Sequence, residues 1–439
     1  MLKKQGVQEI IEKTHIEELC LEWSSGGDDL VSNTQTERDI LDSLQPHNGL
    51  KELRIKGYKG TIFPKWVGSF SFYNMTSVYL ASCNNCCMLP SLEELPSLQS
   101  LHIEGFSQLK SIGMEFYKNE DSHQSSIVEP FRSLQNLEFH DMPCWEEWDL
   151  AGNRLPTYLQ ELSIRHCRKL EFLKRQMIKY GLVELRIHDS CDSLTSFSVD
   201  DFPCLKVLDI SVCSNLESVS ISDPPHVALR RLSIHSCSKF VSFPGEILAA
   251  PNLIHFSVIM CSKFEALPCL MESLLPNLEF LFVQGCPGIC RLLEGGLPTK
   301  LKELRLGVCE EQLKALSSMG NMDNLTSLTI LGSSEVRSYL ELHLLPRLPS
   351  LKTLHLWGVH DLEELDCDEL LRLSSLQRLQ ISYCEKLENM CGEKLPSSLL
   401  LLQIQDCPLL EQHCKNKNQE IWSKISHIPI IQVNAKQIF

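Results

Sequence analysis

The residues with chemical potential in this chain are its twenty cysteines, its fifteen histidines and an acidic run near the start. Cysteine at this density suggests a disulfide framework or a metal site until the spacing is read. Cys83 and Cys86 have the separation of a zinc-ligand pair, but no second pair follows to complete a tetrahedral site. Cys83 instead belongs with Cys167, Cys213, Cys237, Cys261, Cys286, Cys309, Cys384 and Cys407, which all fall at one place in a recurring pattern. A position that turns the chain inward suits a small, buriable thiol, so these nine are expected to be structural and reduced. His102, His140, His188, His235, His255 and His355 could bind metal or sense pH if they lay in one column. His140, His188 and His235 fall in alternate or more distant repeats, so they read as a solvated polar face. No nucleophile, base and orienting acid share a local motif. The expectation is therefore no enzyme, no metal and no cofactor.

The element that positions these residues is written most clearly from Leu205 to Pro268. Leu205, Leu208, Ile210 and Cys213 are followed by Leu229, Leu232, Ile234 and Cys237, then by Leu253, Phe256, Val258 and Cys261. The template L-x-x-L-x-[LIV]-x-x-C is that of a leucine-rich repeat, in which each unit adds one short strand to a continuous parallel sheet. It starts at Leu50, Met75, Leu98, Leu134, Leu159, Leu182, Leu205, Leu229, Leu253, Leu278, Leu301, Leu325, Leu351, Leu376 and Leu399, with a looser start at Ile16. Intervals are 23 to 26 residues, except for 34 after Ile16 and 36 after Leu98, where loops are inserted. Residues two apart on a strand share a face, so Leu208 and Ile210 point inward while Val207, Asp209 and Ser211 point outward.

The predicted fold is thus an α/β solenoid: a leucine-rich-repeat horseshoe of about sixteen repeats with a concave parallel β-sheet and an irregular or short-helical convex side. Ordering a residue costs about 1 to 2 kcal/mol of backbone entropy. The few apolar side chains of one repeat cannot offset that for some 24 residues, so stability has to come from stacking and protected ends. Residues 1–49 read as a partial repeat with an inserted loop and helix, an abrupt start that leaves the first sheet edge uncapped. Residues 50–407 form the array, with an insertion at about 113–130, and 408–439 form a cap with a helix at 409–423 and an edge strand at 425–433. Phe63 and Trp66 are expected to pack on the convex side. Trp145 and Trp148 are read as a packing ridge there in preference to a docking surface.

A formal net charge of −15 argues against nucleic acid, whose phosphates call for a basic face. From Glu12 to Asp42 there are nine acids but only Lys13 and Arg38 as bases, read as a solvated face. No segment is apolar enough to span a bilayer, and MLKKQGVQEIIEK lacks the apolar core of a signal peptide. The address implied is intracellular, cytoplasmic or nuclear. The sequons at Asn74 and Asn324 are read as lying on repeat strands.

Several local details resemble one class of repeat. Leu44-Gln-Pro-His47 leads into Leu50-Lys-Glu-Leu53-Arg-Ile-Lys-Gly-Tyr58-Lys-Gly60-Thr-Ile-Phe63-Pro64-Lys-Trp66. Gly113-Met-Glu-Phe-Tyr117, Met142-Pro-Cys-Trp145-Glu-Glu-Trp148 and Trp422-Ser-Lys-Ile-Ser-His-Ile-Pro429 follow. Together they resemble the repeat domain of plant coiled-coil, nucleotide-binding, leucine-rich-repeat disease-resistance proteins. The resemblance implies a module that senses pathogen effectors or modified host proteins and restrains a nucleotide-binding domain of the same receptor. No G-x-x-x-x-G-K-[ST] phosphate loop occurs, so nucleotide binding is not carried over. A substrate-recognition arm of a ubiquitin-ligase adaptor is the alternative, but residues 1–15 are too few for the F-box it would need.

The outward columns locate the expected protein-binding site. Early repeats present mixed charge at Glu52, Arg54, Lys56, His102, Glu104, Glu138, His140, Arg165 and Arg186. Later ones turn apolar at Ile259, Phe280, Phe282, Leu331 and Trp357, with Tyr383 at a strand end. Gly307 is expected to leave a dip beside Arg305, and His355 lies in the same patch. Clustered apolar residues with aromatics and arginine mark interaction sites, so Phe280, Phe282, Arg305 and Trp357 are the expected anchors.

Overall fold

The computed structural model describes residues 16–23, 34–113, 116, 131–149, 155–171, 181–221, 224–287, 296–307, 322–332, 342–434 and 436–437. The lead-in 1–15, the loop 24–33, nearly all of the insertion at 113–130 and Cys309 lie outside the described residues. The chain packs as two compact units, Met1–Leu216 and Glu217–Phe439.

In the first unit the strands Glu18–Glu22, Glu52–Lys56, Ser77–Ala81, Ser100–Glu104, Asn136–His140, Glu161–Arg165, Glu184–His188 and Val207–Ser211 stack in parallel and in register. In the second, Arg231–His235, His255–Ile259, Phe280–Gln284, Glu303–Gly307, Ser327–Leu331, Thr353–Trp357, Arg378–Ser382, Leu401–Gln405 and Ile430–Val433 do the same. Each strand up to Leu401–Gln405 begins two residues after a template start. The alternating leucine and isoleucine positions, such as Leu53 and Ile55 or Leu354 and Leu356, are fully buried. The fold is a leucine-rich-repeat solenoid with little helix.

Most of the strands end in a turn whose first residue is left-handed. Ser82, Asp141, His166, Asp189, Val212, Ser236, Met260, Tyr383 and Asp406 all have φ between 46° and 58°. For a non-glycine residue that conformation costs about 1 to 2 kcal/mol. It is offset because the turn's N–H donates to the last strand carbonyl of the next repeat, as from Ser82 to Glu104 at 2.8 Å and from Met260 to Gln284 at 2.7 Å. The next residue is the ladder position. Its eight described cysteines are buried, and none of the eighteen described cysteines is in a disulfide. Their thiols donate to backbone carbonyls, as from Cys407 to Gln405 O at 3.3 Å. Burial pushes the Cys167 and Cys286 thiols up to about 12. The expectation of a small side chain here was too narrow, since Tyr58, Phe106 and Met142 occupy the same slot and are also buried.

A second ladder precedes the strands. The side-chain amides of Asn252, Asn277 and Asn324 donate to the carbonyls of Val227, Pro251 and Thr299, each in the repeat before. This corrects the reading of the sequons: Asn74 and Asn324 stand three residues ahead of the strands Ser77–Ala81 and Ser327–Leu331. On the side opposite the sheet, Phe63 and Trp66 are buried, and Trp145 and Trp148 pack against Phe139 at 4.6 and 5.2 Å. The tryptophan pair is a packing ridge. Near the C-terminus the expected single helix is two, Pro408–Lys415 and Gln419–Ile425. Lys417 is left-handed at φ 50°, and Asn418 caps the second helix by accepting from Glu420 N at 2.9 Å. The strand Ile430–Val433 then pairs with Leu401–Gln405.

Candidate recognition face

In the second unit the register places the outward residues in three columns. The first runs His255, Phe280, Glu303, Ser327, Thr353, Arg378. The middle runs Ser257, Phe282, Arg305, Thr329, His355, Gln380, and the third runs Ile259, Gln284, Gly307, Leu331, Trp357, Ser382. Of the nine residues expected at the site, seven fall into two clusters, while Ile259 and Gly307 stand in the third column outside both.

The first is built on Phe282. The Arg305 guanidinium lies 4.5 Å over the Phe282 ring and is held there by Glu303 at 2.7 Å. A cation on an aromatic face contributes about 0.5 to 1 kcal/mol where exposed. His255 meets Phe282 edge-on at 4.9 Å and Phe280 at 5.8 Å. Burial, then the nearby Arg231, push the His255 imidazole down to about 4, so it is neutral at pH 7.

The second cluster is Trp357 with Tyr383, rings 4.7 Å apart, and His355 edge-on to Trp357 at 5.5 Å. Burial and Arg305 lower the His355 pKa, and its Nε2 contacts the Ser382 hydroxyl at 3.1 Å. Trp357 and Tyr383 are 41% and 38% exposed. Leu331, expected as part of the exposed patch, is only 7% exposed. It stands in register beside Trp357, whose larger side chain takes the outer position. Gly307 does leave space: a Cβ there would come no closer than 3.4 Å to any neighbour, so the backbone does not demand glycine.

The first unit carries a different face. Glu104 accepts from the Tyr79 hydroxyl at 2.7 Å and lies within 3.3 Å of His102 and 3.6 Å of His140. The Tyr79 hydrogen bond and these imidazoles outweigh burial and hold Glu104 below the usual carboxylate range. His166, which the strand pattern passes over, sits at a turn and touches both His140 and His188, at 5.2 and 5.1 Å. This corrects the reading of isolated histidines, because a residue one past the strand bridges alternate ones. Asp189 is raised by burial but lowered further by His166 at 2.9 Å and Arg168 at 2.8 Å. His166 was missed because it occupies the left-handed turn position that directly follows a strand.

With the geometry in place, the likenesses are informative. A family model described as R13L1/DRL21 LRRs matches residues 3–106. The putative disease resistance RPP13-like protein 1 of Arabidopsis thaliana is 32% identical over 286 residues, which is 57% of this chain and 27% of that protein. The disease resistance protein RGA2 of Solanum bulbocastanum is 28% identical over 48% of this chain and 21% of its own length. The chain is a leucine-rich-repeat solenoid similar in sequence to parts of plant disease-resistance proteins. The chain spans about a quarter of the length of these relatives. A solved leucine-rich-repeat protein of Leptospira interrogans covers 94% of the chain, and the chain covers 100% of it, at 16% identity and a TM-score of 0.40. No helix among the described residues is long and apolar enough to cross a membrane.

Proposed function

We propose that this domain is a non-catalytic recognition module of plant defence, working in the cytoplasm or nucleus, and that it binds a protein partner through the sheet face of its second unit. The partner is a pathogen effector or a host protein, and in a full-length receptor the domain also restrains the nucleotide-binding switch. The observation that carries this reading is the pairing of Phe282 under Arg305 with the exposed Trp357 and Tyr383 on one sheet. Aromatics and arginine dominate the energetics of protein interfaces. The names of the relatives supply the biological setting.

The test is capture from leaf cells expressing the tagged chain. Phe282→Ala with Trp357→Ala is expected to remove specific partners while thermal unfolding stays nearly unchanged, since neither side chain supports the core. His102→Ala with Arg186→Ala, on the first unit, is the control and is expected to leave the captured set intact. Equal capture by the first double variant and the unmodified chain would sink the assignment.

A further inference from the structure

Three imidazoles of the first unit meet across successive repeats. His140 and His188 stand in one outward column with Arg165 between them, in register on the strands Asn136–His140, Glu161–Arg165 and Glu184–His188. His166, one residue past Arg165, brings its ring to 5.2 Å from that of His140 and 5.1 Å from that of His188. The turns that follow these strands are all among the described residues.

The three differ in what answers a positive charge. On His140 it meets Glu104 at 3.6 Å, and on His166 it meets Asp189 at 2.9 Å, with Asp141 in the preceding turn. His188 instead has its Nδ1 on the Ser211 hydroxyl at 2.8 Å. The carboxylates of the neighbouring strands and turns are engaged elsewhere: Asp189 by His166 and by Arg168 at 2.8 Å, Glu184 by Arg186, which also lies 4.0 Å from Glu161, and Glu138 by His102 at 3.1 Å. Asp209, on the next strand, stands in register with Arg186 and draws a proton toward His188, as Asp189 does. Burial, then the His166 charge, outweigh that attraction, Arg165 adds to them, and the His188 pKa lies below its ordinary value.

Repulsion here acts on a turn that is already strained. His166 and Asp189 are left-handed at φ 53° and 46°. They are held by bonds to the next repeat, from His166 N–H to His188 O and from Asp189 N–H to Ser211 O, each at 2.9 Å. The first of these bonds joins the two residues whose rings repel when both are charged. Like charges about 5 Å apart near a surface shift an equilibrium about fivefold or more.

We infer that His140, His166 and His188 form a proton-responsive switch, in which charging His188 beside His166 and Arg165 loosens the His166 turn from the strand Glu184–His188. Charge on His140 adds to the repulsion from the other side of His166. The inference goes beyond the recognition reading above and does not depend on it. Its sign follows from linkage. A histidine held neutral by the fold contributes stability above its unfolded pKa of about 6.5, and that stability is lost as pH falls through the lower folded value.

The experiment is hydrogen exchange of the whole chain, read by mass spectrometry at about pH 7.5 and about pH 5.5, on either side of a free histidine, and corrected for intrinsic rates. Protection of peptides covering 161–171 and 181–192 is expected to fall about fivefold or more with acidification, beyond any change in 52–81, which holds no histidine. His188→Gln keeps a hydrogen-bonding side chain without the charge and should remove most of that fall, and His166→Gln should reduce it. A histidine NMR titration supplies a readout that does not require His188→Gln to fold. The His188 resonance should titrate below a free histidine in the unmodified chain and move up in His166→Gln. Protection that does not change with pH, an equal fall in His188→Gln and the unmodified chain, or a His188 resonance that titrates as a free histidine does each overturns the inference.

Discussion

The two units use the same strand and turn to present opposite surfaces. In the first, many charges on or beside the sheet face are answered by a neighbour: Lys51 by Glu17 at 2.8 Å, Lys56 by Glu22 at 3.1 Å, His102 by Glu138 at 3.1 Å, and Arg186 by Glu184. In the second, the corresponding columns carry Phe280, Phe282 and Trp357, whose rings meet each other's neighbours, and Trp357 still exposes area to solvent. A surface whose groups already satisfy one another offers little to a partner, because new contacts replace old ones. Apolar area still in water has its transfer free energy left to give, about 25 cal/mol per Å². The inward residues hardly differ between the units, so the contrast lies in the three outward columns and the turn beside them.

The sharpest way to break this comparison is at the glycines of the second unit. Gly332→Ala sets a Cβ 2.0 Å from a backbone oxygen, whereas Gly307→Ala meets nothing nearer than 3.4 Å. Overpacking against backbone that cannot yield costs about 1 to 3 kcal/mol or more. We expect Gly332→Ala to lower the unfolding midpoint of the second unit by several degrees, about 2 to 4 °C per kcal/mol for a unit of this size, and Gly307→Ala to leave it near its original value. Equal midpoints in a denaturation series would mean that the backbone contact between Gly332 and Gly358 is soft.

The next test sharpens the description of the first unit. Tyr79→Phe removes the hydroxyl that donates to Glu104 at 2.7 Å and is the leading cause of its lowered pKa. A hydrogen bond to a charged group contributes about 1.5 to 3 kcal/mol, and partial exposure reduces this to about 1 kcal/mol. The sign follows from linkage. A carboxylate held low contributes stability above its unfolded pKa and loses it as pH falls through the folded value. The variant should therefore lose about 1 kcal/mol at pH 7 and show a shallower further loss as pH falls below about 4.5. Chemical denaturation at pH 7 and pH 3 measures both. An unchanged difference between the two pH values would show that Tyr79 does not hold Glu104.

Much of this molecule could be read from its residues, and the reason is repetition. At Leu208 and Ile210, or Leu354 and Leu356, the period of two is restated in every repeat, so an error of one residue in register would bury a charge. The turn residues were harder. Left-handed φ at Val212 or His166 leaves no mark on residue type, because the turn is imposed by the hydrogen bond to the neighbouring repeat. That is why His166 escaped the strand pattern. Leu331 was misjudged for a related reason. Alternation gives the face of a side chain but not the size of the one beside it, and Trp357 stands beside Leu331. The same holds at Gly332, whose need for glycine comes from Gly358 in the next repeat.

The smallest expected effect compares two arginines with the same local sequence. Arg54 follows Glu52 in Glu-Leu-Arg-Ile, and Arg305 follows Glu303 in Glu-Leu-Arg-Leu, each forming an ion pair two residues back along its own strand at 3.3 and 2.7 Å. Exposed pairs of this kind contribute about 0 to 1 kcal/mol, so neither Arg54→Ala nor Arg305→Ala should move stability by more than about 0.5 kcal/mol from that source. Arg305 also lies over Phe282, which adds about 0.5 to 1 kcal/mol. The contrast should appear in binding: Arg305→Ala weakens capture of the protein partner, and Arg54→Ala does not. Should Arg54→Ala weaken capture as much as Arg305→Ala, the mixed-charge face of the first unit takes part in recognition, and the division of labour between the two units is wrong.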